Sequence, residues 1–401
     1  MNILILSYFF TPDFSAGSFR TQALINSISK KKPISNIYIF TSMPNRYSDA
    51  QKFSLKNFEE LDVDGKKIKI FRSKSIQHKN SFFLQIISFS IFVFSSIWWS
   101  FKFRNKIDYI YATSSRFGTA FLGFVLGKAL KVKVNLDIRD IFSDSLMVLS
   151  KNNFFLKMIA NIIRRIENYV FKNTDSITFV SEGFYDNLSI NKKRNILYVP
   201  NGIDEIFTKF FNQNFRYNNH RKPLKIMYAG NTGYAQGLHL IVPKLAKYYD
   251  KKLQFQIVGS GNAIIHIKKV IDQMKINNIQ FIEPVQRKEL INFYKNSNIL
   301  FLTLTDDKAF EKVLPSKIFE YSAFDIPILA GVSGNAKKFI LKEVDNSFVF
   351  SPNNFDEARY QIDLILNNYT NIRRDSFINK FNRKRLMNNL SNFLIENIND
   401  G

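Results

Sequence analysis

Short apolar runs alternate with stretches of helical periodicity along this chain, and no other feature constrains the fold as strongly. In the first part of the chain the helical patterns lie at 20–29, 119–130 and 154–171. The apolar runs that indicate buried strands lie at 2–8, 37–42, 109–113, 133–138 and 176–180. Such alternation builds a parallel sheet that helices cover on both faces. The first part is therefore predicted to be a Rossmann-like α/β domain.

A second series of the same kind begins after Asn201 and Gly202. Its predicted strands lie at 224–229, 253–258, 279–282, 299–302, 327–329 and 348–350, and its helices at 238–248, 264–274, 287–295, 317–323 and 355–366. We predict two Rossmann-like domains, 1–202 and 203–374, and a C-terminal helix at 375–401 that can pack on either. Ligands bind beyond the carboxyl ends of the strands in such sheets, so two sheets facing each other predict one deep cleft.

The composition narrows the possible partners. The chain has 401 residues with 57 Lys and Arg against 33 Asp and Glu, a net charge of +24, which attracts polyanions or anionic lipid headgroups. A general drift of the composition towards lysine explains the charge equally well. The chain contains no cysteine, which excludes disulfides, thiolate zinc sites and a cysteine nucleophile. Residues 1–10 lack the features of a signal peptide, so we expect a cytoplasmic protein.

One apolar segment departs from the alternation. Residues 80–101 carry no charge, contain Trp98 and Trp99, and are followed by Lys102, Arg104 and Lys106. As a helix the segment is roughly 33 Å long, enough to cross a bilayer, but the strands on either side of it belong to one sheet. Tryptophans and lysines prefer the headgroup zone, which favours a membrane-facing, acceptor-binding segment at 80–106. Buried helices of the first domain and a membrane-inserted hairpin are the alternatives.

Several loops match known motifs in order and spacing: residues 7–20 (SYFFTPDFSAGSFR), 43–45 (MPN), 137–140 (DIRD), 180–183 (VSEG), 200–204 (PNGID), 230–237 (GNTGYAQG), 258–261 (VGSG) and 315–321 (PSKIFEY). In these loops the chain resembles the retaining family 4 glycosyltransferases. It is most similar to their O-antigen and capsule branch, which includes N-acetylfucosaminyl transferases. The resemblance runs over essentially the whole chain and implies a GT-B fold.

A nucleotide-sugar donor carries a diphosphate, which is bound by backbone N–H groups at glycine turns or helix N-termini and by cations. Gly17 and Gly233 permit a close approach of the backbone, and Ser316 is the predicted N-cap of a helix whose first turn contains Lys317. Glu320 shares a helix face with Lys317. The resemblance implies that Glu320 accepts hydrogen bonds from the nucleotide ribose. The alternatives are a solvated surface lysine for Lys317 and a surface ion pair between Lys317 and Glu320. The remaining donor-binding residues that we predict from the resemblance are Ser18, Asn231, Gln236, Gly259 and Val285.

In the second domain the sequence departs from the family pattern at three positions. Asn231 and Gln236 stand where the family has the Arg and Lys that hold the pyrophosphate. Many family members have two glutamates eight residues apart, and Lys312 stands where the first of them would be. Either Glu311 takes its place through a shifted loop, or the sugar is recognised differently. Lys312 and Lys317 could replace the lost cations, which favours an altered site over an inactive one.

The first domain contributes Arg139 and Asp140 from the end of a predicted strand. Arg139 stands where other members place a histidine near the donor sugar, and Asp140 could orient it or position the acceptor hydroxyl. An ordinary ion pair at the strand end is the alternative. With Lys317 and Glu311, these residues form the predicted catalytic set.

The resemblance implies transfer of a sugar, an N-acetylated or deoxy amino sugar, from a UDP-sugar to a lipid-linked saccharide with retained configuration. It implies no cofactor and no metal, an undecaprenyl-diphosphate-linked acceptor, and a peripheral position at the inner face of the cytoplasmic membrane. The expected role is surface polysaccharide biosynthesis. A UDP-sugar 2-epimerase and a non-catalytic GT-B membrane partner are the alternatives, and no nucleic-acid-binding motif accompanies the positive charge.

Overall fold

The computed structural model describes residues 1–13, 15–44, 55–76, 82–150, 153–188, 195–209 and 223–399. The chain folds into two compact units, unit 1 with residues 1–201 and 383–401, and unit 2 with residues 202–382. The predicted C-terminal helix at 375–401 is two helices, one in each unit. Phe14 and Asn45 of the quoted motifs and residues 80–81 of the apolar segment lie outside the described residues.

Unit 1 is built on an eight-stranded sheet with the order β3-β4-β2-β1-β5-β6-β7-β8. Among the strands that the structure describes in this sheet, only the β3–β4 pair is antiparallel. The strands are β1 Asn2–Leu6, β2 Asn36–Ser42, β3 Phe58–Val63, β4 Lys66–Ser73, β5 Tyr109–Thr113, β6 Lys133–Ile138, β7 Ser176–Phe179 and β8 Asn195–Tyr198.

Two layers of helices cover opposite faces of this sheet. The helices are α1 Ala16–Ile28, α2 Phe82–Lys102, α3 Phe117–Leu130, α4 Phe142–Leu149, α5 Phe154–Asn173 and, from the end of the chain, α14 Arg383–Asn399. α1 and α14 pack on the face that carries Ile3 and Ile37. α2 packs on the other face, against Tyr8 and Phe40. From β1 to β2 the chain moves in one direction along the sheet, and from β5 through β6 to β7 it moves in the other. Because such crossovers are right-handed, α1 lies on one face of the sheet and α3 and α5 lie on the other.

Unit 2 is a six-stranded parallel sheet with the order β11-β10-β9-β12-β13-β14. Its strands are β9 Leu224–Ala229, β10 Leu253–Val258, β11 Ile279–Ile282, β12 Ile299–Thr303, β13 Ile328–Gly331 and β14 Ser347–Phe350. Its helices are α6 Glu205–Thr208, α7 Leu238–Tyr248, α8 Ile264–Met274, α9 Arg287–Lys295, α10 Lys317–Tyr321, α11 Gly334–Glu343, α12 Phe355–Asn367 and α13 Asp375–Lys380. Each predicted strand of the second series has its counterpart in this sheet.

The apolar segment forms one continuous helix, α2, so the hairpin alternative is wrong. Phe92 is fully buried against Tyr8, and the ring of Trp99 contacts Phe40 and Phe71. The opposite side of α2 is exposed, and only 22% of its most apolar stretch is buried, so α2 covers the sheet with one side only. Within the described part of the chain, α2 alone is long and apolar enough to cross a membrane, with a mean hydropathy of 1.5.

Candidate functional site

In unit 2 the loops after β9 and β10 lie backbone against backbone. Gly230 has φ +145° and Gly259 has φ +142°, and a Cβ atom on Gly259 would lie 1.8 Å from the carbonyl oxygen of Gly230. A Cβ atom on Gly261 would lie 2.4 Å from the carbonyl carbon of Thr232. Only glycine fits such contacts and such dihedral angles. These loops occupy the carboxyl ends of the strands, the edge at which parallel sheets bind ligands.

The side chain of Gln236 fixes the shape of the loop after β9. Its Oε1 atom accepts hydrogen bonds from the backbone N–H of Gly233 at 3.0 Å and from Nδ2 of Asn231 at 3.2 Å. The two residues that replace the family's cations are therefore bonded to each other. In this conformation the N–H group of Gly233 already donates to Gln236. The loop would have to rearrange before this N–H group could donate to a phosphate.

A polar cluster surrounds the carboxylate of Glu320 on α10. Lys317 Nζ lies 3.0 Å from Glu320 Oε2, the hydroxyl of Tyr294 lies 3.3 Å from the same oxygen, and Arg287 Nη2 lies 3.5 Å from Oε1. Arg287 also forms an ion pair with Asp204. Burial and the charge of Glu320 raise the pKa of Tyr294 well above its ordinary value, so its hydroxyl stays protonated as a donor.

Lys317 joins this cluster to the glycine loops. A Cβ atom on Gly230 would lie 2.9 Å from Lys317 Cε, and the lysine side chain is only 23% exposed. The alternative of a solvated surface lysine is therefore wrong. The pair with Glu320 exists, but it is half-buried at the end of β9 and not on an open surface.

The core of unit 2 fixes the position of α10. Ile318 and Phe319 are fully buried, and the hydroxyl of Tyr321 accepts a hydrogen bond of 3.0 Å from the N–H of Ala229 at the end of β9. Ser316 precedes α10 as predicted, but its backbone is helical (φ −62°, ψ −23°) and its side chain makes no capping bond. A side-chain cap needs an extended backbone at that residue, so the capping role is wrong.

The loop that carries Glu311 and Lys312 is placed by the start of α11. A Cβ atom on Gly334, which has φ +55°, would lie 2.1 Å from the carbonyl oxygen of Glu311. The side chain of Glu311 is exposed and that of Lys312 is half-buried. Val285, after β11, packs against the core of unit 2. Contacts of these residues with a donor stay predictions.

In unit 1, Arg139 lies at the end of β6 with part of its guanidinium unsatisfied. Its backbone N–H donates to Ser114 Oγ at 2.8 Å, and Nη2 donates to Asn201 Oδ1 at 3.2 Å. Nη1 is buried and has no hydrogen-bond partner among the described residues. Burial and the charge of Arg20 lower the pKa of Arg139. Asp140 is exposed, so the two neighbours differ in environment, and an unsatisfied buried guanidinium nitrogen is suited to an anionic ligand.

Gly17 and Ser18 lie in the first turn of α1. A Cβ atom on Gly17 would lie 2.7 Å from Ser115 Oγ, so this glycine permits close packing within unit 1. The N–H of Ser18 donates to the hydroxyl of the N-cap, Ser15, at 3.2 Å. The hydroxyl of Ser18 is buried and has no partner in the described part of the chain. Donor contacts of Gly17 and Ser18 stay predictions.

A buried ion pair that the sequence patterns did not reveal connects α1 to β6. Arg20 Nε and Nη2 bind the two carboxylate oxygens of Asp137 at 3.0 and 2.9 Å, and both side chains are 1% exposed. Arg20 also donates to the carbonyl of Pro200, and Thr178 donates to Asp137. Burial acts to raise the pKa of Asp137, but Arg20 outweighs it and holds that pKa below its usual value. The pair places the strand end that carries Arg139.

No group of three or more histidine, cysteine or acidic side chains that could hold a metal ion occurs among the described residues. Two cationic side chains, Lys317 and Arg287, lie around Glu320 near the glycine loops of unit 2.

Parts of the chain are similar to known glycosyl transferases. The family model for glycosyl transferases group 1 matches residues 210–384. Over 93 residues the chain is 31% identical to the putative colanic acid biosynthesis glycosyl transferase WcaI of Escherichia coli (strain K12). That alignment spans 23% of this chain and 23% of WcaI.

The fold recurs in solved structures that span the whole chain. Sucrose-phosphate synthase from Thermosynechococcus elongatus has a TM-score of 0.68 at 12% identity and covers 100% of this chain and 94% of its own. Anabaena Alr3699/HepE in complex with UDP has a TM-score of 0.64 at 13% identity, covering 99% and 100%. The lipopolysaccharide outer core galactosyltransferase WaaB has a TM-score of 0.60 at 14% identity, covering 99% of each chain.

These findings define a GT-B protein with two parallel-sheet α/β domains, which confirms the predicted fold class. The group 1 family model matches the part of the chain that contains the glycine loops and the Glu320 cluster. The finer resemblance, to the N-acetylfucosaminyl transferase branch, is not confirmed by these findings.

Proposed function

We propose that this protein transfers a sugar from a UDP-sugar to a lipid-linked saccharide with retention of configuration. The observation that carries the proposal is the Glu320 cluster beside the glycine loops at the end of β9, within the region that matches the group 1 family model. HepE, whose fold this chain shares, was solved with UDP, which supports a uridine nucleotide as the ligand of this cluster.

The cluster fits the two polar parts of such a donor. Glu320 accepts hydrogen bonds from the ribose hydroxyls, while Tyr294 and Arg287 keep its carboxylate oriented. Lys317, against Gly230, lies where a diphosphate would meet the loops, and its ammonium group turns from Glu320 to the phosphate when the donor binds. A cation fixed at the leaving diphosphate stabilises the charge that develops there.

In the transfer, the bond between the anomeric carbon and the diphosphate oxygen breaks, and the acceptor oxygen forms its bond on the same face of the sugar. The acceptor hydroxyl proton passes to the departing diphosphate. The protein positions the two substrates and stabilises charge, without attacking the sugar itself. The catalytic candidates that the resemblance gives are Arg139 and Asp140 in unit 1 and Glu311 in unit 2, with Lys317. Nη1 of Arg139 has no partner among the described residues and is suited to an anionic ligand.

The acceptor's location follows from the exposed side of α2, α3 and α5. We call their exposed large apolar side chains the apolar face: Phe83, Ile86, Phe94, Trp98, Phe101, Phe121, Val125, Phe154, Phe155, Met158, Ile162, Ile166 and Tyr169. A soluble surface rarely exposes so many contiguous apolar side chains, and such a patch marks a membrane or protein partner. The six members on α5 fall within an arc of about 120° of that helix.

Basic residues border the apolar face and favour an anionic bilayer as its partner. Lys102 Nζ lies 5.0 Å from the ring of Trp98, and Arg104 and Lys106 are exposed just beyond α2. Tryptophan and lysine together favour the headgroup zone. We propose that this face rests on the inner leaflet of the cytoplasmic membrane, where an undecaprenyl-diphosphate-linked acceptor resides. The similarity to WcaI, which is named for colanic acid biosynthesis, supports a role in polysaccharide biosynthesis. The capsule or O-antigen role and the N-acetylated or deoxy amino sugar rest on the resemblance of the motifs.

Nucleotide-dependent thermal stabilisation tests the proposed function. A ligand at ten times its Kd stabilises the folded state by about 1.4 kcal/mol, so melts with UDP, GDP, ADP and CMP, each with and without EDTA, resolve binding. UDP alone should raise the midpoint, unaffected by EDTA. Glu320→Ala should lower UDP affinity roughly 10- to 100-fold, because it removes hydrogen bonds to a charged acceptor worth about 1.5–3 kcal/mol.

The matched control is Glu289→Ala, which removes an exposed glutamate from α9 of the same unit and should leave UDP affinity unchanged. Wild-type affinity in Glu320→Ala would remove Glu320 from the site. No stabilisation by any nucleotide would favour a non-catalytic membrane partner, and release of an epimerised UDP-sugar would favour a 2-epimerase.

A further inference from the structure

A groove lies in unit 1 between α2 and the edge hairpin β3–β4. Its volume is about 740 Å³, within the range of small-molecule sites. The groove is part of neither the Glu320 cluster of unit 2 nor the surroundings of Arg139. We infer that it binds a single-chain lipid phosphate, with the apolar chain along the groove and the phosphate at a pair of lysines. This inference rests on the proposed function, because only a membrane-facing chain meets such amphiphiles.

Aromatic rings form the walls of the groove. The ring of Phe71 on β4 lies 5.5 Å from Trp99, 5.1 Å from Phe103 and 4.9 Å from Phe58. Ile91 extends the apolar wall along α2. Flat rings and a branched aliphatic side chain offer dispersion contacts along their length and no hydrogen-bond acceptor, which suits an alkyl or isoprenyl chain.

Two lysines flank one end of the groove. Lys69 Nζ lies 5.9 Å from the ring of Tyr38, and Lys102 Nζ lies 5.9 Å from the ring of Phe103. Because the rings of Tyr38 and Phe103 are themselves 5.4 Å apart, the two ammonium groups border the same end. Glu60 approaches Lys69 only at 3.9 Å, and no acidic side chain is among the described residues that line the groove.

The opposite end of the groove is polar. Ser73 lines it, is 2% exposed, and its hydroxyl has no hydrogen-bond partner within the ranges that the structure describes. Lys74 follows it and lines the groove as well. The lysine pair at the end of α2 is also continuous with the apolar face, because Lys102 contacts Trp98 there. A lipid phosphate lying under the apolar face would therefore reach the lysine pair first, which is why we place the headgroup at Lys69 and Lys102.

The two tryptophans of the chain make the groove directly measurable. Trp99 lines the groove, whereas Trp98 is 60% exposed on the apolar face. Trp98→Phe leaves Trp99 as the single fluorophore, and Trp99→Phe leaves Trp98 as the matched control. We would titrate each variant with dodecyl phosphate below its critical micelle concentration, and with dodecanol and inorganic phosphate as separate arms.

We expect Trp99 to respond saturably to dodecyl phosphate with a blue-shifted emission, to respond more weakly to dodecanol, and to ignore inorganic phosphate. Lys69→Gln combined with Lys102→Gln should weaken dodecyl phosphate binding about 10-fold and leave dodecanol binding unchanged. The charge-matched control is Lys251→Gln combined with Lys252→Gln, which removes two exposed charges from unit 2 and should change neither.

Three results would overturn the inference: no response of Trp99, an equal response from Trp98, or an equal loss in the Lys251→Gln and Lys252→Gln control. A shift of Trp99 with inorganic phosphate alone would show a free phosphate site in place of a lipid site. UDP stabilisation measured on the same Trp98→Phe protein separates the two proposals. Retained UDP binding with a silent Trp99 would refute the groove alone, and the loss of UDP binding would refute the proposed function.

Discussion

The two helical layers of unit 1 cover the same sheet but differ in where their apolar side chains lie. In the α1/α14 layer, Met387, Leu390 and Leu394 are fully buried, and no described residue of either helix is an exposed large hydrophobic one. The α2/α3/α5 layer also packs on the sheet, yet the apolar face stays exposed. Phe94 is 72% exposed and Phe154 is 85% exposed. The second layer therefore carries more apolar surface than folding uses.

This difference separates residues that stabilise the fold from residues that we propose to bind a membrane. The α1/α14 side also contains the buried Arg20–Asp137 pair, which ties a helix to the sheet. Helix α5 has basic side chains, Lys157 and Lys172, beside its exposed apolar stripe. Substitutions in the α1/α14 layer should change the free energy of unfolding. Substitutions of exposed residues in the α2/α3/α5 layer should change association with a bilayer.

The largest effect is expected at the buried ion pair. Arg20→Met leaves Asp137 charged and buried without its partner, which costs about 3–5 kcal/mol. Urea unfolding measures the loss, and Arg165→Met on exposed α5 is the control that should stay close to wild type. A wild-type midpoint for Arg20→Met would mean that the pair contributes nothing to the fold.

A matched pair of methionines compares the two layers directly. Met387 on α14 is fully buried and Met158 on α5 is 44% exposed. Met387→Ala should lower the free energy of unfolding by about 2–5 kcal/mol, through lost burial and a cavity. Met158→Ala should change it by no more than about 0.5 kcal/mol. Equal losses would show that the apolar face is part of a core and would contradict its role as a binding surface.

The basic border should affect binding without affecting folding. Replacing Lys102, Arg104 and Lys106 by glutamine removes three charges, each worth about 1 kcal/mol near an anionic membrane. Co-sedimentation with anionic vesicles should weaken by about two orders of magnitude at low salt, while the melting temperature stays constant. Unchanged co-sedimentation would refute the role of these charges.

The smallest effect is a pH dependence. The pKa of Asp137 is lower in the folded state than its unfolded value of about 3.9, so its contribution is complete above that value and is lost as the pH falls through the folded pKa. The stability advantage of wild type over Asp137→Asn should therefore be constant from pH 5 to 7 and should shrink below about pH 4. An advantage that is unchanged at low pH would contradict the lowered pKa.

Periodicity predicted most of the fold, because buried parallel strands are nearly continuous apolar runs. β1 and β12 are of this kind. β3 was missed because its residues are mostly exposed and polar, so no apolar run marks it. The sequence signal that could have predicted the hairpin is Asp64 followed by Gly65. Both residues have positive φ in the structure, and two-residue hairpin turns of this kind favour Asp-Gly.

The site was predictable only where its residues are neighbours in sequence. The three-residue spacing placed Lys317 and Glu320 together, whereas Arg287 and Tyr294 reach Glu320 from α9 and only the fold brings them there. The opposite positions of Trp98 and Trp99 follow from the 100° step of a helix and could have been predicted. The bond between Asn231 and Gln236 depends on loop geometry that no pattern encodes.

Vesicle flotation tests the central claim, that the apolar face binds a bilayer, most directly. Wild type, a variant with Phe94→Ser, Phe154→Ser and Phe155→Ser, and a control with Ile265→Ser and Leu341→Ser would be floated with anionic vesicles. Ile265 and Leu341 are exposed in unit 2, outside the apolar face. Wild type and the control should float, and the face variant should stay in the dense fractions while UDP still stabilises it. Equal flotation of all three proteins, or of none, would contradict the claim.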